Sequence, residues 1–401
     1  MIRPASPPRA QNPAAQAGLL LIRLGIMISA FCTPMSAIIS RRLIFTLVPV
    51  GAVLIIFGSL LAGEDNFRAR IRDQLTTPFV YISLAIMGWT ALSLLWTPMA
   101  GAASEHWLKM FGTAGIAGLA CACLPTHTKI SNLNILPISI AITAIVILTL
   151  GFALPLEAPD PAGSTLQRAA ILLALAGWPA MAALAVRQRW ALVGALAIAL
   201  VFAVIAVWSG VLLLASAGGA AAFALSRYRP LIAAQILGWA FAGLLVLAPA
   251  LPIFFLITPF QHDATNILAP FIFWGDIIQI DGPRLITGHG FDAVIRGLSI
   301  GLPLDHAPNS IIFELWYELG VVGAVLGAVL IRSAFALIDR FTHPCAEPFA
   351  LACVTHILIL MVLGITLAQL WFLTTLALTI ILLAVLAKGQ YQIVRPRLPQ
   401  R

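Results

Sequence analysis

The residues best suited to chemistry in this chain lie at positions 305–327, in the segment DHAPNSIIFELWYELGVVGAVLG. His306 stands just before an apolar run that predicts a helix, and Asn309 or Ser310 can cap that helix. A histidine side chain can donate or accept a proton near neutral pH. We therefore expect His306 to lie ahead of a fixed helix start, where it could act as a base. The alternative is that His306 is a polar anchor at a membrane surface.

Two glutamates follow within the same apolar run. Glu314 and Glu318 are four residues apart, so they share one face of the predicted helix. Ionisable groups are costly inside a membrane, and a cluster of them there predicts a functional site. The two carboxylates either form structural salt bridges or line a polar cavity that, together with Asn309, binds a substrate.

Two arginines extend this candidate site. Arg168 opens an apolar run, and Arg284 lies in GPRLITGHGFDA. Arginine stays charged and binds phosphate groups in a bidentate manner. An external arginine pair beside a histidine suits a substrate that bears a diphosphate. The alternative is pairing with local acids, such as Asp281 or Asp292 for Arg284.

No metal or nucleotide motif accompanies these residues. The segment Gly288-His289-Gly290 lacks the lysine of a phosphate-binding loop, and it predicts a turn that returns the chain to the membrane. HExxH, CxxC and aspartate-rich motifs do not occur, so we predict no metal and no cofactor. The five cysteines are odd in number and fit no disulfide or zinc framework, which predicts small core residues.

The composition fixes the class of protein. The chain has 401 residues, of which 61% are hydrophobic and 9% are charged. A soluble domain carries roughly a quarter charged residues, so a soluble fold is excluded. The apolar runs are continuous, unlike the alternating strands of a membrane barrel. The net charge of +8 comes from basic residues in short loops, which indicates membrane topology and argues against nucleic-acid binding.

The length of the apolar runs predicts an all-α polytopic protein with about twelve transmembrane helices. The predicted spans are 19–39, 43–62, 78–96, 107–124, 133–154, 168–186, 190–208, 210–226, 231–257, 308–331, 349–367 and 369–387. The organisation is then a disordered cytoplasmic leader 1–16, spans one to nine within 17–257, a large loop 258–307, spans ten to twelve within 308–388, and a basic cytoplasmic tail 389–401.

The distribution of basic residues predicts the orientation. With the amino terminus in the cytoplasm, most loop arginines and lysines face inward, as the positive-inside rule requires. Both termini are then cytoplasmic and the 258–307 loop is external. A loop of this length without clear secondary structure is usually functional. Arg168, Arg284 and His306 all fall at the external face, where the rule does not explain the two arginines.

Glycines recur at helical spacing in two predicted spans. The patterns are GxxGxxG at 112–118 and GxxGxxxG at 320–327. Small residues let membrane helices approach one another closely. Both patterns therefore predict helix–helix contacts.

Four segments resemble the O-antigen ligase and polymerase superfamily of bacterial envelope proteins. They are Trp96-Thr97-Pro98, the segment LQRAAILLALAGWP that contains Arg168, Trp274 followed by PRLITGHGFDA, and HAPNSIIFELWYELGVVGAVL. Two positions depart from the family pattern. Pro308 stands in place of the second histidine of the signature, and no arginine lies a few residues before Trp274.

The resemblance implies a metal-independent glycosyltransferase of the GT-C membrane fold, in the bacterial inner membrane and with a periplasmic active site. The donor would be a glycan on undecaprenyl diphosphate, and the acceptor a sugar hydroxyl. That acceptor is lipid A-core for O-antigen ligation in lipopolysaccharide biosynthesis, or another lipid-linked glycan for a polymerase. The expected catalytic residues are His306, Arg168 and Arg284, with Asn309, Glu314 and Glu318 binding substrate. Two other classes stay open, namely a lipid-glycan transporter and an inactive membrane scaffold descended from a transferase.

Overall fold

The computed structural model describes residues 13–63, 67–125, 128, 130–153, 162–252, 274–278, 282–293, 310–365 and 369–390. Within these residues the chain is helical and has no β-strands. Eight helical segments are long and apolar enough to cross a membrane. The predicted class, an all-α multi-pass membrane protein, is thereby confirmed. The eight segments are Pro13–Ser36, Arg42–Ala62, Ile130–Ala153, Thr165–Ala185, Pro230–Leu247, Ile311–Arg340, Pro344–Leu363 and Leu370–Lys388.

The helices follow the predicted spans in order. The α-helices are α1 Pro13–Met27, α2 Thr33–Ser36, α3 Arg41–Ala62, α4 Phe67–Leu75, α5 Pro78–Ser93, α6 Ala100–Cys123, α7 Ile135–Ala153, α8 Ala162–Ala185, α9 Trp190–Ala206, α10 Gly210–Ser226, α11 Pro230–Leu247, α12 Ile311–Ala336, α13 Glu347–Leu363 and α14 Leu370–Lys388. A π-helical turn covers Ile28–Cys32, and 3₁₀ turns cover Ile130–Leu133, Gly282–Leu285, Leu337–Arg340 and Pro344–Ala346. The helices α9 and α10 separate at the predicted position, where Ser209 Oγ accepts from the N–H of Leu212 at 3.5 Å.

Several predicted segments extend beyond the described residues. Helix α1 begins at Pro13, inside the segment predicted as a leader. The loop 258–307 is described only at 274–278 and 282–293. The predictions for 1–12 and for 391–401 lie outside the described residues.

Glycines bring α1 and α3 into backbone contact. A Cβ at Gly18 would lie 2.5 Å from the carbonyl oxygen of Gly58, and one at Gly25 would lie 2.6 Å from that of Gly51. The predicted contact through the stripe 112–118 is wrong, because a Cβ at each of its three glycines would meet no atom within 4 Å in the described structure. Small residues permit a close approach, but a partner helix must lie on that side.

Long basic side chains join helix termini at one end of the bundle. Lys388 Nζ donates to the carbonyl oxygen of Cys121 at 2.8 Å, and Arg187 Nη2 donates to that of Ile130 at 3.4 Å. The Oγ1 of Thr342, which follows α12, donates to the carbonyl oxygen of Ala387 at 2.6 Å. We call this the basic end. Helices α6, α8, α12 and α14 all finish there, so they begin at the opposite end, which we call the loop end.

Helix α8 lies at the centre of the bundle and contacts α7, α9, α13 and α14. Within its most apolar stretch 89% of the residues are buried. Its neighbours include His356 on α13, whose Nδ1 accepts a hydrogen bond from Trp178 Nε1 at 3.1 Å. Because α8 finishes at the basic end, Arg168, near its first turns, lies at the loop end.

Candidate functional site at the loop end

Helix α12 is broken inside its apolar run. Gly320 has φ 66° and ψ −160°, a conformation that is essentially restricted to glycine. A Cβ there would lie 2.5 Å from the carbonyl oxygen of Ile286. The prediction that Gly320 marks a helix–helix contact is therefore wrong, since this glycine permits a break in the helix and the approach of the 282–293 loop.

The loop provides donors for the carbonyl groups just before the break. The backbone N–H of His289 donates to Tyr317 O at 2.8 Å, and that of Gly290 donates to Glu318 O at 3.0 Å. Trp89 Nε1 on α5 donates to Leu319 O at 3.0 Å. Inside a membrane every backbone polar group needs a partner. The loop and α5 supply these partners, so they fix the start of α12 in place.

Stacked rings reinforce the same contact. The ring of His289 lies 4.1 Å from that of Tyr317 with an interplanar angle of 11°, and its Nδ1 is 3.0 Å from Tyr317 O. Phe313 packs on Tyr317 at 5.4 Å, and Trp274 meets Phe313 edge-on at 5.5 Å. His289 is buried, and both its ring and its backbone contact Tyr317. The segment Gly288-His289-Gly290 is therefore a structural turn, as its sequence indicates.

The other face of the loop is bound to the segment after α5. Thr97 Oγ1 donates to Phe291 O at 2.7 Å, and the N–H of Phe291 donates to Ser93 Oγ at 3.1 Å. Gly290, at φ 99°, lies so close that a Cβ would be 2.6 Å from Thr97 Cα. The loop is therefore held between α5 and α12.

A histidine–aspartate pair continues this network onto α6. His106 Nδ1 is 2.9 Å from Asp292 Oδ1. The side chain of Asp292 is 1% exposed and that of His106 is 13% exposed. The sequence reasoning missed His106 and considered Asp292 only as a partner for Arg284. The available signal was a histidine near the start of a membrane helix.

The predicted arginines and glutamates lie at the loop end. Arg168 is half-buried on α8, and its Nη2 lies 3.4 Å from Thr165 Oγ1. Arg284 is exposed on the 3₁₀ turn, and its carbonyl oxygen accepts from Gly288 N at 2.7 Å. Glu314 is buried on the first turn of α12, whereas Glu318 is half-buried one turn later.

The other predicted positions are those just before α12. His306 and Asn309 lie outside the described residues. Ser310 is the N-cap of α12, but its side chain makes no capping hydrogen bond there. Instead, its carbonyl oxygen accepts from the N–H of Glu314 at 2.9 Å.

Arg284 and the His106–Asp292 pair thus lie on or beside the loop that contacts the broken helix, and Glu314 and Glu318 lie on that helix. Arg168 lies near the start of α8, at the same end of the apolar bundle. Such an arrangement can bind an anionic group and transfer protons at a membrane surface. Among the described residues, no group of three His, Cys, Asp or Glu side chains is placed to hold a metal ion. Comparison with protein-family models, with curated proteins and with solved structures finds no match to this chain.

Proposed function

We propose that this protein transfers a glycan from an undecaprenyl-diphosphate carrier to a sugar hydroxyl at the loop end, as an O-antigen ligase that uses lipid A-core as the acceptor. The observation that carries the proposal is the meeting of three separated segments in one contact network. These are the segment around Thr97, the described loop residues 274–278 and 282–292, and the start of α12. They are three of the four segments in which the sequence resembles the O-antigen ligase and polymerase superfamily.

The contacts among these segments are specific. Thr97 donates to Phe291 O, and the loop donates to the carbonyl groups of Tyr317 and Glu318. Trp274 joins the aromatic row on α12 through Phe313. The fourth segment opens α8 at the same end. Positions that are up to 230 residues apart in the chain, such as those in the Trp89–Leu319 contact, are thus joined around one surface.

The proposed chemistry needs charge stabilisation and a base. The leaving undecaprenyl diphosphate gains negative charge, which Arg168 and Arg284 would stabilise. The attacking hydroxyl needs a proton acceptor, and the sequence offers His306 for this role. Asn309, Glu314 and Glu318 would bind the sugars. Neither a nucleotide sugar nor a metal cofactor enters this scheme.

The proposed membrane arrangement follows from the helices. We propose that α5, α6, α9 and α10 cross the bacterial inner membrane together with the eight longer segments, which gives twelve spans of GT-C type. Helices α5, α9 and α10 have 16, 17 and 17 residues, close to the minimum length for a span. Both termini would be cytoplasmic and the loop end periplasmic, with the basic end inward as the positive-inside rule requires.

The test is complementation of a strain that lacks the native gene. Surface glycan is separated on a gel for wild type, His306→Ala and Arg168→Ala, with membrane levels checked, and Arg340→Ala, an exposed arginine at the basic end, serves as the matched control. Loss of polymer-bearing lipid A-core with accumulation of lipid-linked polymer supports a ligase. Loss of long chains with single units still attached would instead support a polymerase. Unchanged glycan in both His306→Ala and Arg168→Ala contradicts the assignment.

Lipid-glycan transport is a second candidate, because one polar pair lies inside the bundle. Trp178 and His356 are buried and hydrogen-bonded between α8 and α13. Transporters bind substrate near the membrane midplane. If His356→Leu abolished glycan display while Arg168→Ala left it intact, transport would replace transfer as the proposed function.

A further inference from the structure

His106 and Asp292 form a hydrogen-bonded pair whose position is fixed by neighbouring contacts. His106 lies about two turns into α6, and Asp292 follows the loop residue Phe291, whose N–H and carbonyl are held by Ser93 and Thr97. Asp292 has φ 65°, which is uncommon for a residue with a side chain. The surrounding hydrogen bonds must hold such a conformation in place, and residues of this kind cluster at functional sites.

The pair determines which nitrogen of His106 carries the proton. A carboxylate only accepts hydrogen bonds, so the 2.9 Å contact with Asp292 requires Nδ1–H to donate. In the neutral imidazole, Nε2 is then left with a lone pair that can accept a hydrogen bond or a proton. The same division of roles holds between the aspartate and histidine of a Ser-His-Asp triad.

The Nε2 atom of His106 is buried, and no group in the described part of the chain hydrogen-bonds to it. This feature alone marks no site, because Nε2 of His343 and of His356 share it. His343 lies at the basic end, and His356 is engaged by Trp178. His106 is distinguished by an orienting carboxylate and by its place beside the loop.

Aromatic and apolar groups surround the pair. The ring of Phe291 lies 5.6 Å from that of His106. Phe291 belongs to an apolar cluster with Met110, against which Trp107 and Leu373 pack. Ligand sites typically combine such apolar walls with a few oriented polar groups. The His106 side chain is 13% exposed as a whole, so part of the imidazole ring reaches the surface, whereas its Nε2 atom is buried.

We propose that His106, oriented by Asp292, receives the proton of the acceptor hydroxyl in the transfer reaction. The acceptor oxygen bonds to the anomeric carbon, and the bond from that carbon to the diphosphate oxygen breaks. The bonding electron pair leaves on undecaprenyl diphosphate, and the hydroxyl proton moves to Nε2 of His106. The Asp292 carboxylate stabilises the resulting imidazolium until it loses the proton to water. This inference rests on the proposed function and assigns a base for it other than His306.

The test separates proton transfer from a structural role. In His106→Asn the side-chain amide can still donate to Asp292 from near the Nδ1 position, but the Nε2 atom is lost. We expect kcat to fall by about 100-fold or more while KM stays within about threefold. Asp292→Asn tolerates the left-handed backbone but no longer fixes the tautomer, so kcat should fall by about 10-fold or more. Thermal unfolding should be nearly unchanged in both variants.

The assay uses the full-length protein in detergent, lipid-linked glycan extracted from a ligase-deficient strain as donor, and lipid A-core as acceptor. His343→Asn removes an equally unpartnered Nε2 at the basic end and should keep kcat within about twofold. If His106→Asn does not fold, His106→Gln is measured in its place. An amide oxygen near the Nε2 position can accept a hydrogen bond from the acceptor but cannot take its proton, so kcat should still fall.

Three results would overturn the inference. Wild-type activity in a folded His106→Asn protein would make the pair a structural contact only. Loss of activity in His306→Ala but not in His106→Asn would make His306 the base. A wild-type protein that transfers no lipid-linked glycan would overturn the proposed function itself, and with it the role of His106. Only this last result is seen with the wild-type protein alone. Failure of the proposed function can therefore be told apart from failure of the role assigned to His106.

Discussion

The two ends of the bundle both bind helix carbonyl groups, but those at the loop end lie beside a break in a helix, whereas those at the basic end lie near helix termini. At the loop end, backbone N–H groups of His289 and Gly290 and the Trp89 indole donate to carbonyls just before a break in α12. At the basic end, Lys388 and Arg187 reach across with long side chains. The backbone N–H and the Oγ1 of Thr342 also donate there, both to Ala387 O. The basic end thus shows the usual behaviour of lysine and arginine near membrane surfaces.

The difference indicates where this chain maintains an unfavourable backbone. A broken helix inside an apolar segment exposes polar groups, and irregular backbone at membrane depth is tolerated where it is buried in protein or lines a cavity. Gly288, Gly290, Asp292 and Gly320 all have positive φ, and all four belong to this one contact. Glycine adopts positive φ without steric cost, and Gln188 and Trp208 also have positive φ outside this contact. The break in α12, rather than the number of positive φ values, therefore favours the loop end as the site.

The largest loss of stability is expected from a substitution at the glycine that breaks α12. Gly320→Ala places a methyl group against the Ile286 carbonyl and forces a positive φ on a residue with a side chain. We expect a loss of about 3 kcal/mol and a melting temperature lower by about 5 °C or more. The measurement is thermal unfolding of the purified protein in detergent, followed by size-exclusion chromatography.

Gly115→Ala on α6 is the matched control, because a Cβ there meets nothing within 4 Å in the described structure. Alanine is a better helix former than glycine, so its stability should stay unchanged or rise by up to about 1 kcal/mol. Equal destabilisation by both substitutions would mean that the Gly320 break plays no special part in the fold.

A smaller loss of stability is expected from removing one hydrogen-bond donor at the break in α12. Trp89→Phe keeps an aromatic ring beside Trp96 but loses the N–H that binds Leu319 O at 3.0 Å. One buried carbonyl loses this partner, which should lower stability by about 1–2 kcal/mol. The same change at Trp208, whose side chain is 69% exposed, should have little effect in the same melting assay. If Trp89→Phe melted like wild type, this indole would not be needed to satisfy the break.

Much of the fold could be predicted from apolar run lengths, because a membrane span must be continuous and apolar. A helix begins or ends close to most predicted span boundaries, including the separation of α9 and α10 at Ser209. The spacing of glycines was less informative. It marks a small face, but it does not tell a helix contact from the positive φ of Gly320 or from the open face at 112–118.

The site could be predicted only in part. Arg168, Arg284 and Glu314 were predicted as site residues from their types and local context, and their role stays a prediction. The pairing of His106 with Asp292 spans 186 residues. It depends on how the loop packs between helices, which local sequence patterns do not specify.

The smallest loss of stability is expected from a substitution at the basic end. This substitution tests the comparison between the two ends most directly. Lys388→Met keeps the apolar stem but removes the ammonium group that donates to Cys121 O at 2.8 Å. Cys121 lies near the end of α6, where a carbonyl group can bind water at the membrane surface in place of lysine. We therefore expect a loss below about 1 kcal/mol, less than for Trp89→Phe in the same assay. An equal or larger loss would show that carbonyl groups at both ends depend on protein donors to the same degree, and the contrast drawn between the two ends would not hold.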